Sequence, residues 1–267
     1  MNTNFGQFIT LIRRTLYTSF GWLFLPAQVS IYCYHSIDSD KWRFTVSEQS
    51  LKKQVGYLLH YSSPITTETL MNYLDGNQHN LRSGFILTFD DGYKDLLKIK
   101  DYLPSLGIRP IVFVLSEPLR ANRAELETDK ELLSIQDIKQ LHQSGWEIGC
   151  HSATHADFKS LSTEQLNFEI KQAKQTLEDS LGIPVNFFAY PKGKYNSAIV
   201  NAVKEAGFKI AFSMDHRLVS PGIDKLSVPR VGVDNTHKFA EFRGMSTKPI
   251  IWMKNFGTKV LKEGIYD

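Results

Sequence analysis

Two short stretches concentrate the residues able to do chemistry. In Gly84-Phe-Ile-Leu-Thr-Phe-Asp-Asp-Gly-Tyr93 an apolar, β-prone run ends on two adjacent carboxylates, Asp90 and Asp91. Charges delivered to the end of a buried strand repel each other and lose hydration, so they need a cation, a proton or a turn. Asp-Gly is a common way out of a strand, and taken alone this stretch reads as a turn. In Trp146-Glu-Ile-Gly-Cys-His-Ser-Ala-Thr-His155, His151 and His155 follow a second apolar run, four residues apart. Two imidazoles at that spacing can face one ion, whether the segment turns as a helix or as a compact loop, although such pairs also arise by chance. Two histidines and one carboxylate make a hydrolytic zinc set that leaves room for water and substrate. The second carboxylate then stays free to take a proton, and the ion offsets the repulsion between the two.

These stretches need elements that bring them to one place. After residue 28, short β-branched or aromatic runs alternate with longer helical patterns, the signature of a β/α fold with largely parallel strands. Strands are expected near 29–34, 64–66, 85–89, 110–115, 146–150, 186–190, 208–213 and 226–231. Helices are expected from Glu48 to Tyr61, Tyr93 to Leu103, Ser134 to Gln143, Thr163 to Leu181 and Ser197 to Ala206, with an irregular loop from Glu117 to Leu133. In parallel barrels the catalytic groups sit at the C-terminal strand ends. Those ends carry Tyr34-His35, Asp90-Asp91, Cys150-His151 and Tyr190-Pro191.

A chain of 267 residues with 42% hydrophobic content can bury one substantial core. Its 31 basic and 28 acidic residues leave a formal charge of +3, too slight and dispersed to argue for nucleic acid. A neutral substrate such as a sugar is at least as compatible. Cys33 and Cys150, the two cysteines, both fall in β-like runs and read as buried, reduced thiols, which excludes a disulfide framework.

With the ordered motifs in view, the chain resembles a known family. Thr88-Phe-Asp-Asp-Gly92, His151-Ser-Ala-Thr-His155 and Phe188-Ala-Tyr-Pro-Lys-Gly193 resemble the three motifs of the polysaccharide deacetylases of carbohydrate esterase family four, whose shared unit is the NodB homology domain. The resemblance spans roughly residues 30 to 232. It implies an α/β fold, a distorted (β/α) barrel of about seven strands, and metal-dependent hydrolysis of an N-acetyl group on a hexosamine of a polysaccharide or lipid-linked saccharide. Carried over, it makes Asp90 the general base and Asp91, His151 and His155 the metal ligands, with Zn²⁺ the default ion and Co²⁺ or Ni²⁺ able to replace it. Tyr190, Pro191, Lys192 and Gly193 would line the sugar groove, and a backbone N–H of that loop would stabilise the oxyanion.

The chain departs from the family pattern in three ways. No late Leu-His motif follows residue 231, whereas Ile31-Tyr-Cys-Tyr-His-Ser-Ile37 opens the barrel as in the circularly permuted poly-N-acetylglucosamine deacetylases. That makes His35 the candidate acid for the leaving amine, a structural loop histidine being the alternative. The arginine that opens the third motif is missing, and Arg230 could reach the site from the last strand. Lys192 stands where an aromatic residue is common, which suggests a polar or anionic saccharide. An O-deacetylase or other amidohydrolase, and a non-catalytic glycan-binding barrel, are the competing functions.

The domain expected from these features covers 29–235, between an amphipathic segment at 1–28 and a helical tail at 236–267. Phe5, Ile9, Ile12, Leu16, Phe20 and Leu23 recur at helical spacing beside Arg13 and Arg14. A core-packing helix, an interfacial anchor and a weak signal peptide ending near Pro26-Ala27 are the readings of that stripe. The stretch from Pro249 to Lys262 mixes apolar and aromatic residues with lysines, as a basic amphipathic helix does, or else a packed helix closing the barrel. The expectation is a cytoplasmic protein touching the inner face of a membrane, with export as the alternative.

Overall fold

The β-prone runs pair as parallel strands, the central ones buried on both faces as βαβ connections require and the short runs Ser63–Pro64 and Val231–Gly232 partly exposed. In chain order these are β1 (Val29–Tyr34), the short pair β2 (Ser36–Ile37) and β3 (Thr45–Val46), β4 (Ser63–Pro64), β5 (Gly84–Phe89), β6 (Ile111–Val114), β7 (Glu147–Cys150), β8 (Phe187–Ala189), β9 (Ile210–Phe212) and β10 (Val231–Gly232). The computed structural model describes residues 3–26, 28–77, 81–158 and 161–263, with the side chains of 3–10, 22 and 257–263 outside the described residues. Phe5 and Ile9 of the N-terminal stripe and the lysines at 259 and 262 therefore fall outside it as side chains. The main sheet runs β10-β1-β5-β6-β7-β8-β9, with β4 beside β5.

The helices are α1 (Thr3–Leu23), α2 (Glu48–Tyr61), α3 (Thr67–Leu74), α4 (Tyr102–Ser105), α5 (Arg123–Leu126), α6 (Ile135–Gln143), α7 (Thr163–Asn167), α8 (Ala173–Leu181), α9 (Ser197–Glu205), α10 (Phe239–Met245) and α11 (Lys248–Glu263). Starts are marked by local polar residues: Ser47 caps α2, Asn196 caps α9, and Ser134 with Asp137 closes a capping box on α6. The expected helix from Tyr93 to Leu103 is instead a 3₁₀ turn at Lys94–Ile99 followed by α4. The helix expected from Thr163 to Leu181 is interrupted by a π-turn at Phe168–Gln172. The stretch 117–133 holds only two single-turn helices, in keeping with the irregular loop expected there.

Strand alternation sorts the side chains into two layers. Ile31, Ile86, Ile111, Phe113, Ile210 and Phe212 fill the barrel interior, whereas Tyr32, Tyr34, Phe89, Val112, Phe188 and Tyr190 pack outward against helices. Each such large side chain contributes about 1.5–3 kcal/mol when fully buried. Inward positions higher on the strands are polar, and that change of character marks the mouth.

The last expected strand, 226–231, is broken. Lys225–Ser227 forms a 3₁₀ turn, Val228 bridges to Phe212 of β9, and only Val231–Gly232 pairs with β1. Pro229 between them has no N–H to give a ladder. One short segment thus touches both edges of the curled sheet and draws them together. Outside the barrel, Tyr32 donates to Ser246 Oγ at 2.7 Å and stacks on Phe242, so α10 packs on the outer face of β1, and α1 crosses closely over α10.

Candidate active site

Asp90 continues the inward register of Ile86 and Thr88, and its amide donates to the Tyr34 carbonyl at 2.9 Å. Arg230, in the break of the last strand, meets it with both arms of its guanidinium: Nη1 to Oδ1 at 2.6 Å and Nη2 to Oδ2 at 2.7 Å. Nη1 also donates to Thr88 Oγ1, and Nε to the Ser213 carbonyl. Cys33 Sγ lies 3.3 Å from Asp90 Oδ2, a contact with no signal in the sequence. Burial raises the Asp90 pKa, but the charge and hydrogen bonds of Arg230 together with the nearby His151 outweigh it, and the carboxyl is held below the usual range. Arg230 thus stands where the missing third-motif arginine was sought; it grips the carboxylate and is not among the residues that line the cavity above it. Because Arg230 is 3% exposed, removing it strands a buried charge. Arg230→Met should cost ~3–5 kcal/mol, read as a lower urea midpoint, and pairing it with Asp90→Asn should recover part of the loss. An unchanged midpoint in the single variant would contradict this account.

The turn after β5 takes Asp91 to φ 67° and Gly92 to φ 72°, which swings the Asp91 carboxyl away from its neighbour. A Cβ on Gly92 would stand 2.9 Å from Val114 Cγ1, so the turn requires glycine on both counts. His151 and His155 do not share a helix; Ser152 and His155 take φ 77° and 60° in a compact loop. Glu169, aimed by the π-turn, holds that loop by accepting from the Ala153 and Thr154 amides at 3.0 and 2.9 Å and from Thr154 Oγ1 at 2.6 Å. Nothing in the sequence links a glutamate that distant to the motif. π-Turns do recur at functional sites.

His151 Nε2 and His155 Nε2 lie 3.3 and 3.5 Å from Asp91 Oδ1, which is buried with no hydrogen-bond partner. His151 Nδ1 sits 2.8 Å from the Ala189 carbonyl, which can only accept. A neutral His151 therefore carries its proton on Nδ1 and turns a bare Nε2 toward Asp91. Burial pushes His155 down to about 4, so it too is neutral near pH 7. For His151, burial is outweighed by Asp90 and Asp91, and its pKa rises. Three inward acceptor atoms within 4.8 Å of one another, one of them orphaned, fit a divalent ion.

Above the trio is a cavity of about 320 Å³ lined by His35, Trp42, Phe44, Glu125, Lys192 and Met214 among others. His35 enters it from the end of β1, on the inward side with Cys33, as alternation requires. Its ring centroid is 4.8 Å from that of Phe44, and its Nδ1 is buried without a hydrogen bond. Two of the groove residues expected from the sequence do not line the cavity. Tyr190 shares the outward register of Phe188, is fully buried and donates its hydroxyl to the Leu226 carbonyl; Pro191 is buried beside it. Lys192 and Gly193 do line it, but Lys192 is ion-paired with Glu125, so its charge is already answered and does not argue for an anionic sugar.

Comparison with known proteins agrees with this geometry. The family model described as polysaccharide deacetylase matches residues 78–211, half of the chain. The chain belongs to the polysaccharide deacetylase family. Among curated relatives, the poly-β-1,6-N-acetyl-D-glucosamine N-deacetylase of Staphylococcus epidermidis is 22% identical over 208 residues, covering 72% of this chain and 69% of that protein. Its Staphylococcus aureus counterpart is 25% identical over 222 residues, covering 75% and 71%. Among solved structures, IcaB from Ammonifex degensii superposes with a TM-score of 0.70 at 22% identity, covering 82% of this chain and 98% of that one. The Streptococcus pyogenes deacetylase PplD, in complex with acetate, gives 0.70 at 19% identity, covering 84% and 100%. This polysaccharide deacetylase therefore has the fold its motifs implied, a curled parallel sheet of seven strands in its main path.

Proposed function

We propose that this polysaccharide deacetylase is a divalent-metal-dependent hydrolase that removes N-acetyl groups from N-acetylhexosamine units of a polysaccharide or lipid-linked saccharide. The observation that carries the reading is the pairing of a three-acceptor cluster, Asp91, His151 and His155, whose carboxylate oxygen has no hydrogen-bond partner, with a second carboxylate locked by Arg230 beside it. Zn²⁺ suits one carboxylate and two imidazoles, with Co²⁺ or Ni²⁺ as replacements. An ion held there supplies Lewis acidity, polarising an acetamide carbonyl and acidifying water.

The chain's own groups do the rest. Asp90 receives the proton of the attacking water on Oδ1; Arg230 fixes the carboxylate's orientation and leaves that oxygen a further lone pair, whereas Oδ2 also faces the Cys33 thiol. The oxyanion donor narrows to one amide of the third-motif loop. Tyr190 N–H donates to Phe212, Gly193 N–H to Tyr190 and Lys194 N–H to Pro191, while Pro191 has none. The Lys192 amide, set by a φ of 56°, is the donor we assign to the oxyanion. His35 delivers a proton to the leaving amine from the β1 side. Trp42 and Phe44 offer the sugar ring an apolar wall.

The test is incubation of purified protein with N-acetylated oligosaccharides and lipid-linked sugars, followed by mass spectrometry. Loss of one acetyl group with appearance of a primary amine is expected. Acetate without a new amine would point to ester cleavage and refute the amide reading. Asp90→Asn should turn over ~10²–10⁴-fold more slowly with its ion retained.

A further inference from the structure

We propose that the outer faces of α1 and α11 form a docking surface for an anionic lipid bilayer. Most of the exposed large apolar side chains among the described residues belong to these two helices or to the exit from α1. Leu23 is 73% exposed, Leu25 66%, Trp252 67% and Phe256 59%. An isolated exposed leucine needs no explanation, whereas a concentration of this kind marks an interaction site.

The two helices are held as one unit. Pro26 and Thr247 form an antiparallel bridge that fixes the exit of α1 beside the start of α11, and Lys254 Nζ lies 5.4 Å from the centroid of the Tyr17 ring. The inner side of α1 is used up by the fold: a Cβ on Gly244 would stand 1.9 Å from the Tyr17 carbonyl, and Arg13 and Arg14 both approach buried Glu241. Ile250 and Ile251 are the buried side of α11. What remains apolar therefore points away from the barrel.

Charge selects the occupant. The residues of α1 include no Asp or Glu; Lys254 is turned in toward Tyr17, Lys248 is exposed, and the remaining charged residues in the sequence of α11 are Lys259 and Lys262 against Glu263 alone. Apolar and aromatic residues beside lysines suit the headgroup boundary of an anionic membrane, and the stacked Trp252 and Phe256 rings, 5.9 Å apart, are the side chains that settle there. Among the described residues no helix is long and apolar enough to cross a membrane, so contact would lie in the interface plane.

Flotation of the full chain with vesicles tests this independently of any deacetylase activity. The protein should float with phosphatidylcholine–phosphatidylglycerol vesicles, much less with phosphatidylcholine alone, and be released by salt. Trp252→Glu with Phe256→Glu should abolish flotation while leaving the thermal melt unchanged. Lys248→Glu, Lys259→Glu and Lys262→Glu together should weaken partitioning onto the anionic vesicles on the order of 10²-fold. Wild-type protein left in the soluble fraction overturns the proposal. So does flotation unaffected by the aromatic substitutions, or a dimer that those substitutions dissociate in protein that never floats, which would make the face a contact between copies.

Discussion

Replacing His151 and His155 together by alanine should leave a folded protein that holds no tightly bound divalent ion and has no measurable turnover. The two imidazoles and Asp91 converge without other partners for their inward atoms, so the double variant keeps one donor of three. Each histidine is also braced: the Ala189 carbonyl fixes the His151 tautomer, and Glu169 holds the loop that presents His155. Braces of this kind typically contribute 10–100-fold in affinity, so Glu169→Gln should bind the ion more weakly yet measurably. Elemental analysis after dialysis against a trace of zinc reads both variants. Full occupancy in the histidine double variant would show that the ion sits elsewhere.

The second large effect is expected at His35. His35→Ala and His35→Asn should retain metal and fold while kcat falls ~10²–10⁴-fold, the range for loss of a general acid. His237→Ala should stay active. His237 lies 2.9 Å from Asp234 and stacks on Tyr17, and it is absent from the cavity lining, whereas His35 is part of it. His216 lies with Asp215 and Lys254 in a separate small cleft. His35 Nδ1 is buried without a hydrogen bond and its neighbouring ring is Phe44, while a ring nitrogen of His35 lies within 4.8 Å of a carboxylate oxygen of Asp90. Should His237→Ala lose activity to this extent while His35→Ala keeps it, the acid belongs to the C-terminal segment.

The parts legible in the sequence were those whose signal is local. Strand runs, helix caps and the residues at strand ends depend on neighbours a few positions away, and Asp90, Asp91, His151, His155 and His35 all meet at one mouth as strand-end chemistry predicts. Alternation alone, applied to Phe188-Ala-Tyr190, would have turned Tyr190 outward; the motif's resemblance led to the opposite expectation. The remaining features rest on contacts between distant segments. Glu169 reaches its loop through a change of helical pitch, Glu125 meets Lys192 from a different strand connection, and Cys33 touches Asp90 across two strands. No pattern within a window of sequence encodes such meetings.

The broken last strand has a consequence for how the protein comes into being. Val228 joins β9, Val231 and Gly232 join β1, and Arg230 between them is the counter-ion of Asp90. A nascent chain emerging from the ribosome would display its first strand and both metal-ligand motifs long before residue 230 is made. Until then the Asp90 carboxylate has no guanidinium beside it, and the two sheet edges have no shared segment. Joining of the two sheet edges and the pairing of Arg230 with Asp90 are therefore one event, set by contacts between segments far apart in sequence. A chain cut short of Arg230 should therefore lack both the segment that joins the two sheet edges and the counter-ion of Asp90.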